Sequence, residues 1–184
     1  MDKAAGNLGW TESMNLELDQ LNDFKVFKVL PDEYILPKEY KRIPYQIVFD
    51  VKFDGRKKSG LVAGGHRTPH VPKEEVFSGV VSMEAVRLGF IMAHLNGLQV
   101  CAGDIGNAFL NGTTREKVFI IAGPEFGPKL EGKRLLIDKS LYGLKTSGAR
   151  FHEHCSAKLK KMGFMPSKAD ADLWIKQLPD GTYE

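Results

Sequence analysis

Val100-Cys101-Ala102-Gly103-Asp104-Ile105-Gly106-Asn107-Ala108-Phe109-Leu110-Asn111-Gly112 is the stretch on which the reading of the fold turns. A largely apolar run over residues 98–102 leads to one carboxylate, Asp104, where strand character gives way to a small-residue turn and then to Phe109. Burying an ionised carboxylate costs several kcal/mol or more unless it is compensated, and a bound cation is one of the few strong compensations. Two readings follow. Asp104 is a metal-binding carboxylate at the end of a buried central strand, or it N-caps residues 105–110, a common use of Asp.

Upstream of this stretch, residues 82–96 have the marks of a helix: Ser82 as cap, Glu84 in the first turn and Gly97 as stop. Ala85, Leu88, Met92 and Leu95 make one stripe, and Val86, Phe90 and Ile91 widen it beyond that of a surface helix, so the helix should be largely buried. Residues 46–53 alternate Ile47, Phe49, Val51 and Phe53 with polar neighbours; Asp54-Gly55 follows, and residues 58–63 return to apolar character. That is a β-hairpin with a two-residue turn, a ribbon carrying Arg56, Lys57 and Lys58. Before it, residues 7–23 read as a short amphipathic helix with Thr11 or Ser13 as caps, and residues 24–30 as an edge strand. The prolines of residues 31–44 predict irregular chain, and residues 68–77 a connection.

Downstream, residues 117–122 and 135–137 are strand candidates, and Ser147 caps a second long helix ending at Gly163. His152 and His154 fall on different sides of that helix, which is no arrangement for a metal. Residues 173–177 form a last strand, and Pro179-Asp180-Gly181 turns the chain back through Tyr183.

With 42% hydrophobic and 27% charged residues, the 184-residue chain reads as globular and large enough for one domain or two small lobes. It has no apolar run of the roughly 20 residues a membrane span needs, and no signal-peptide core at its start, so it should not be secreted. Cys101 and Cys155 stand apart, which suits a reducing compartment. A net charge of +3 does not by itself announce a nucleic-acid partner. Basic residues cluster at Lys38, Lys41 and Arg42, at Arg56 to Lys58, and at Lys158, Lys160 and Lys161. Each cluster is a solvated face unless the fold aligns it into a phosphate track.

Four blocks in order resemble the reverse transcriptase domain of copia-type retrotransposons. The segment from Gly103 to Gly112 is similar to its first catalytic box, Asp-Val-x-x-Ala-Phe/Tyr-Leu-x-Gly. Lys139-Ser140-Leu141-Tyr142-Gly143-Leu144-Lys145 resembles its Ser-Leu-Tyr-Gly-Leu-Lys segment, followed by Thr146 to Phe151. Leu61-Val62-Ala63-Gly64-Gly65-His66 lies upstream, and Met162-Gly163-Phe164 with Ala169-Asp170-Ala171-Asp172-Leu173-Trp174 downstream.

The resemblance implies an α+β fold: a polymerase-type palm of antiparallel sheet with packed helices, and a small β-rich fingers hairpin. Residues 1–81 would hold the N-terminal helix and fingers, and residues 82–184 part of the palm. It implies RNA-directed DNA synthesis on an RNA/DNA template-primer from deoxynucleoside triphosphates, using two Mg²⁺ ions about 3.5 to 4 Å apart. Asp104 would be a shared metal ligand and catalytic residue, joined by the backbone carbonyl of Ile105. Phe109 would lie beneath the incoming sugar, Tyr142 and Gly143 beside the nucleotide and template base, and Lys58, Lys145 and Arg150 near phosphates. Gly143 suits such a place because a residue without Cβ lets a ligand approach the backbone. Lys145 and Arg150 are equally open to being solvated cations at a helix start. The remaining polyprotein, with integrase and RNase H, would be its partner, inside the cell in a cytoplasmic virus-like particle or the nucleus.

The departures are specific. Gly60 stands where the family carries Arg in Lys-Ala-Arg-Leu-Val. The family's second box, Tyr-Val-Asp-Asp, supplies the other metal carboxylates and is missing, so the chain reads as C-terminally truncated and inactive alone. The alternatives are a non-catalytic nucleic-acid-binding relic, or an unrelated α+β chain in which Asp104 lies far from Tyr142 and Gly143.

Overall fold

The alternation of Ile47, Phe49 and Val51 produces a regular strand. In the computed structural model, which describes residues 9–68, 71–179 and 181–182, β3 (Tyr45–Val51) pairs antiparallel with β4 (Lys57–Ala63), from Tyr45↔Ala63 to Val51↔Lys57. The Lys52 amide donates to the Arg56 carbonyl at 2.8 Å and Gly55 adopts φ 81°, so the loop proper is residues 53–55. This is a three-residue loop rather than the two-residue turn read from Asp54-Gly55, with the glycine at the left-handed position.

Helix α1 (Gly9–Asp23) covers one face of the ribbon. Glu17 accepts the Leu61 amide at 3.0 Å, and the Trp10 ring meets Phe49 edge-on at 5.3 Å. Thr11 and Ser13 lie inside α1, so neither caps it, and residues 7 and 8 of the expected helix lie outside the described residues.

A second, four-stranded sheet has the order β1 (Phe27–Val29), β6 (Arg134–Ile137), β5 (Val118–Ile121), β2 (Lys41–Arg42). β1 is an edge strand, antiparallel to β6, and β2 runs parallel to β5. Val118 and Ile120 on β5 and Leu135 and Ile137 on β6 alternate inward, as period two requires, and join Leu21, Val26, Ile43, Leu61 and Leu141 in one core. Two of its strands precede residue 82 and two follow it. With α2 (Lys73–Val76), α3 (Met83–Leu95), α4 (Ser147–Lys161) and the small pair β7 (Met165–Pro166) and β8 (Trp174–Ile175), the architecture is mixed α+β. The Pro179-Asp180-Gly181 turn and the return through Tyr183 involve Asp180 and Tyr183, which lie outside the described residues.

Helix α3 has the expected ends: Ser82 Oγ accepts the Ala85 amide at 3.2 Å, and Gly97 sits at φ 65°. Its expected burial is overturned. Leu88, Phe90, Ile91, Met92 and Leu95 are exposed, and within α3 only Ala85 and Ala93 are buried. The central strand over residues 98–104 is likewise absent: the segment is irregular, and Leu98, Val100 and Asp104 are exposed. The two corrections share a cause. A strand exists only through a ladder partner and an apolar stripe is covered only by a packed element, and no described strand pairs with residues 98–104.

The helix caps also differ from expectation. The 3₁₀ turn Ala108–Asn111 starts from Asn107, in the left-handed region at φ 52°, so Asp104 is not its cap. Helix α4 starts from Thr146, whereas Ser147 Oγ donates to the Leu141 carbonyl at 2.7 Å. Glu116 takes the capping role, its Oε1 accepting from both the amide and the hydroxyl of Thr146 at 2.9 Å.

Candidate nucleic-acid interface

Strand pleating divides the ribbon into two faces. Ile47, Phe49, Ser59 and Leu61 share one face, that of the Trp10–Phe49 contact with α1, and Lys57 Nζ lies 5.1 Å from the Trp10 ring centroid. Gln46, Val48 and Asp50 on β3, with Lys58, Gly60 and Val62 on β4, make the other. There Lys58 stands exposed across from Asp50. Gly60, between Lys58 and Val62, has open space where a Cβ would be.

At its base this face meets the loop carrying Tyr142 and Gly143. The Ala63 amide donates to the Tyr142 carbonyl at 2.7 Å, and the Gly64 amide to the Pro44 carbonyl at 2.7 Å. Gly143 has φ 91°; a Cβ there would overlap the Ala63 carbonyl and come within 2.9 Å of Val62 Cγ1. A Cβ on Gly65 would in turn overlap the Gly143 carbonyl. Close approach does explain this glycine, but what approaches is the end of β4. Tyr45, Gln46, Val62, Gly64, His66 and Gly143 line a cleft of about 340 Å³ at this junction.

Phe109 reaches the same loop. Its ring meets that of Tyr142 edge-on at 4.9 Å, joining two blocks more than thirty residues apart. The turn that carries Phe109 rests on α4, and Gly112 fits because a Cβ there would fall 3.0 Å from the Arg150 backbone.

The other candidates are placed as follows. Lys145 Nζ donates to the Thr68 carbonyl at 3.2 Å. Arg150 is not the solvated cation read as one option: its side chain is 3% exposed, with Nη1 3.1 Å from Glu153 and Nη2 3.7 Å from Glu75, so it clasps α2 to α4. Asp104 and Ile105 are exposed on the irregular segment, and the Asp104 carboxylate has no hydrogen bond or ion pair among the described residues. The turn after it is tied to α1, with Asn107 Nδ2 3.4 Å from Gln20 Oε1.

A pair of Mg²⁺ ions needs oxygen ligands arranged around both. Among the described residues no group of three His, Cys, Asp or Glu side chains could hold a metal ion, and Asp104 is a single carboxylate. The described residues do not make a two-ion site.

Asp170 and Asp172 do structural work that sequence reasoning missed. Asp170 accepts the Ser82 amide at 2.8 Å at the start of α3 and the Asp172 amide at 2.9 Å, and these bonds, the Ser82 amide first, hold its carboxyl below the usual range. Asp172 pairs with His152 and sits where a Cβ on Gly79 would be. The alternating acids before β8 were the visible signal, but their partners lie as far as 88 residues away. Among the described residues no helix is long and apolar enough to cross a membrane.

Residues 25–182 match the family described as reverse transcriptase (RNA-dependent DNA polymerase). The chain is 26% identical over 181 residues to the Retrovirus-related Pol polyprotein from transposon TNT 1-94 of Nicotiana tabacum, covering 94% of this chain and 13% of that protein. It is 31% identical over 156 residues to the Transposon Ty1-LR2 Gag-Pol polyprotein of Saccharomyces cerevisiae, covering 83% of this chain and 9% of the relative. The chain thus spans only about a tenth of the length of these relatives. No solved structure matches it significantly. By the match over residues 25–182, the chain belongs to the reverse transcriptase family, as a fragment of the kind found in copia-type Pol polyproteins.

Proposed function

We propose that this chain supplies the fingers and part of the palm of an RNA-directed DNA polymerase, and that its open ribbon face, with Tyr142, Gly143 and Phe109, borders the path of template-primer and incoming deoxynucleoside triphosphate. One observation carries the reading: Lys58, Gly60 and Val62 form a continuous face ending at Gly143, and Phe109 stacks edge-on against Tyr142 beside it. Lys58 is the cation on that face, and the Phe109 and Tyr142 rings are the flat walls a sugar and a base can meet. Lys145 and Arg150 act mainly as supports, the first tying the loop to Thr68 and the second bracing the turn below Phe109.

In the intact domain Asp104, with the Ile105 carbonyl, would supply one carboxylate toward Mg²⁺, which would lend charge stabilisation to nucleotidyl transfer. Nucleotidyl transfer then requires carboxylates from elsewhere in the polyprotein, whose integrase and RNase H regions are the implied partners. The setting is intracellular, in a cytoplasmic virus-like particle or the nucleus. The lone, exposed Asp104 also favours a second reading for the isolated chain, binding without turnover.

The test is anisotropy of a labelled RNA–DNA primer-template with a primer-extension assay in parallel. Binding should weaken with salt and fall about threefold to tenfold in Lys58→Ala, with no extension by the chain alone. Binding that ignores Lys58 would remove the basis of this assignment.

A further inference from the structure

Phe53 has 110% relative exposure, the highest of any large apolar side chain among the described residues. It stands in the ribbon loop, beyond the last ladder pair Val51↔Lys57. The loop that presents it is closed by its own hydrogen bonds. Asp54 accepts the Arg56 amide at 3.1 Å and the Arg56 Nε at 2.6 Å, Gly55 adopts φ 81°, and the Lys52 amide closes onto Arg56. Residues 52–58 carry four cations, Lys52, Arg56, Lys57 and Lys58, against the one carboxylate of Asp54.

An aromatic ring held out in water among cations by a braced loop is the pairing that single-stranded nucleic acid uses: a base stacks on the ring and phosphates meet the cations. A duplex stacks its bases on one another and offers a free base face only at its ends. Phe53 also lies well away from the Gly143 junction. Six residues separate the Val51↔Lys57 pair from Tyr45↔Ala63, a span of about 20 Å at strand rise. We infer that the ribbon tip is a stacking platform for unpaired nucleic acid, with Phe53 as its base-contacting residue and Lys52 and Lys58 as its phosphate contacts. This rests on the nucleic-acid reading above and adds a second contact, outside the Phe109–Tyr142 face.

The experiment compares anisotropy of a labelled single-stranded oligoribonucleotide and of a blunt duplex on the wild-type chain, Phe53→Ala, Phe53→Trp and Lys58→Ala, with thermal unfolding of each as control. One lost base stack should weaken single-strand binding in Phe53→Ala by at least about fivefold, with little change for the duplex. Phe53→Trp should keep wild-type affinity, and its added fluorescence should be quenched on binding. Single-strand binding that Lys58→Ala weakens and Phe53→Ala leaves alone overturns the tip and leaves the functional reading standing. Absence of nucleic-acid binding by every variant overturns both. Self-association that Phe53→Ala abolishes, with RNA binding unmoved, would assign the ring to a protein contact and also overturn the proposal.

Discussion

The amide of Ala63 donates to the carbonyl of Tyr142 at 2.7 Å, and Gly143, the next residue, lies so close to the Ala63 carbonyl that no side chain fits between them. The ribbon is thereby joined to the Tyr142 loop by backbone alone. Gly143→Ala should destabilise the chain by about 2 to 4 kcal/mol, combining the positive φ with the overlap. Urea unfolding measures this. A variant as stable as wild type would show that the junction is not tight.

Glu116 and Thr146 make the second long-range tie. Glu116→Ala removes the acceptor for the Thr146 amide and hydroxyl and should cost about 1 to 3 kcal/mol. Thr146→Ala, which keeps the amide bond, should cost less. Equal losses in the two variants would mean that the amide is not capped by this carboxylate.

Tyr45 predicts an alkaline limit. Its hydroxyl donates to Glu125 and accepts the Gly123 amide at 2.8 Å; burial first, then the bond to Glu125, push its pKa from 10.0 up to about 12. The folded-state value is raised, so the stability it lends is fully present below pH 10 and is lost as pH rises through about 12. Tyr45→Phe should lack this part of the alkaline decline. Tyrosinate absorbance followed against pH, with unfolding monitored in parallel, would detect a Tyr45 that titrates normally and so refute the coupling.

Gly60 invites a gain of charge. A side chain there meets nothing within 4 Å, and no positive φ opposes it. Gly60→Arg should leave stability unchanged or raise it by about 0.5 to 1 kcal/mol. It should also steepen the salt dependence of single-strand binding by about 0.7 in log–log slope, as one added phosphate contact does. An unchanged slope would mean that this face does not meet phosphates.

Asp170 ties the segment before β8 to the start of α3. Its carboxyl is held below the usual range, chiefly by the Ser82 amide, so its contribution is present above the ordinary value of 3.8 and disappears as pH falls through the lowered value. In Asp170→Asn the Ser82 amide should exchange hydrogen faster at neutral pH. Exchange unchanged from wild type would leave the tie without consequence.

Period and punctuation determined most elements by themselves. Alternating Ile47, Phe49 and Val51 made a strand, Ser82 and Gly97 bounded α3, and Val118 with Ile120 and Leu135 with Ile137 marked the two central strands of the sheet. Each rests on residues within a few positions of one another, and the family motifs were legible for the same reason. Tertiary structure alone decided that α3 is uncovered, that residues 98–104 pair with no described strand, that Gly143 is crowded by β4, that Arg150 is buried between Glu75 and Glu153, and that Glu116 caps α4. Burial, ladder pairing and long-range capping all depend on what lies opposite, and a partner tens of residues away leaves no local mark on the segment it serves.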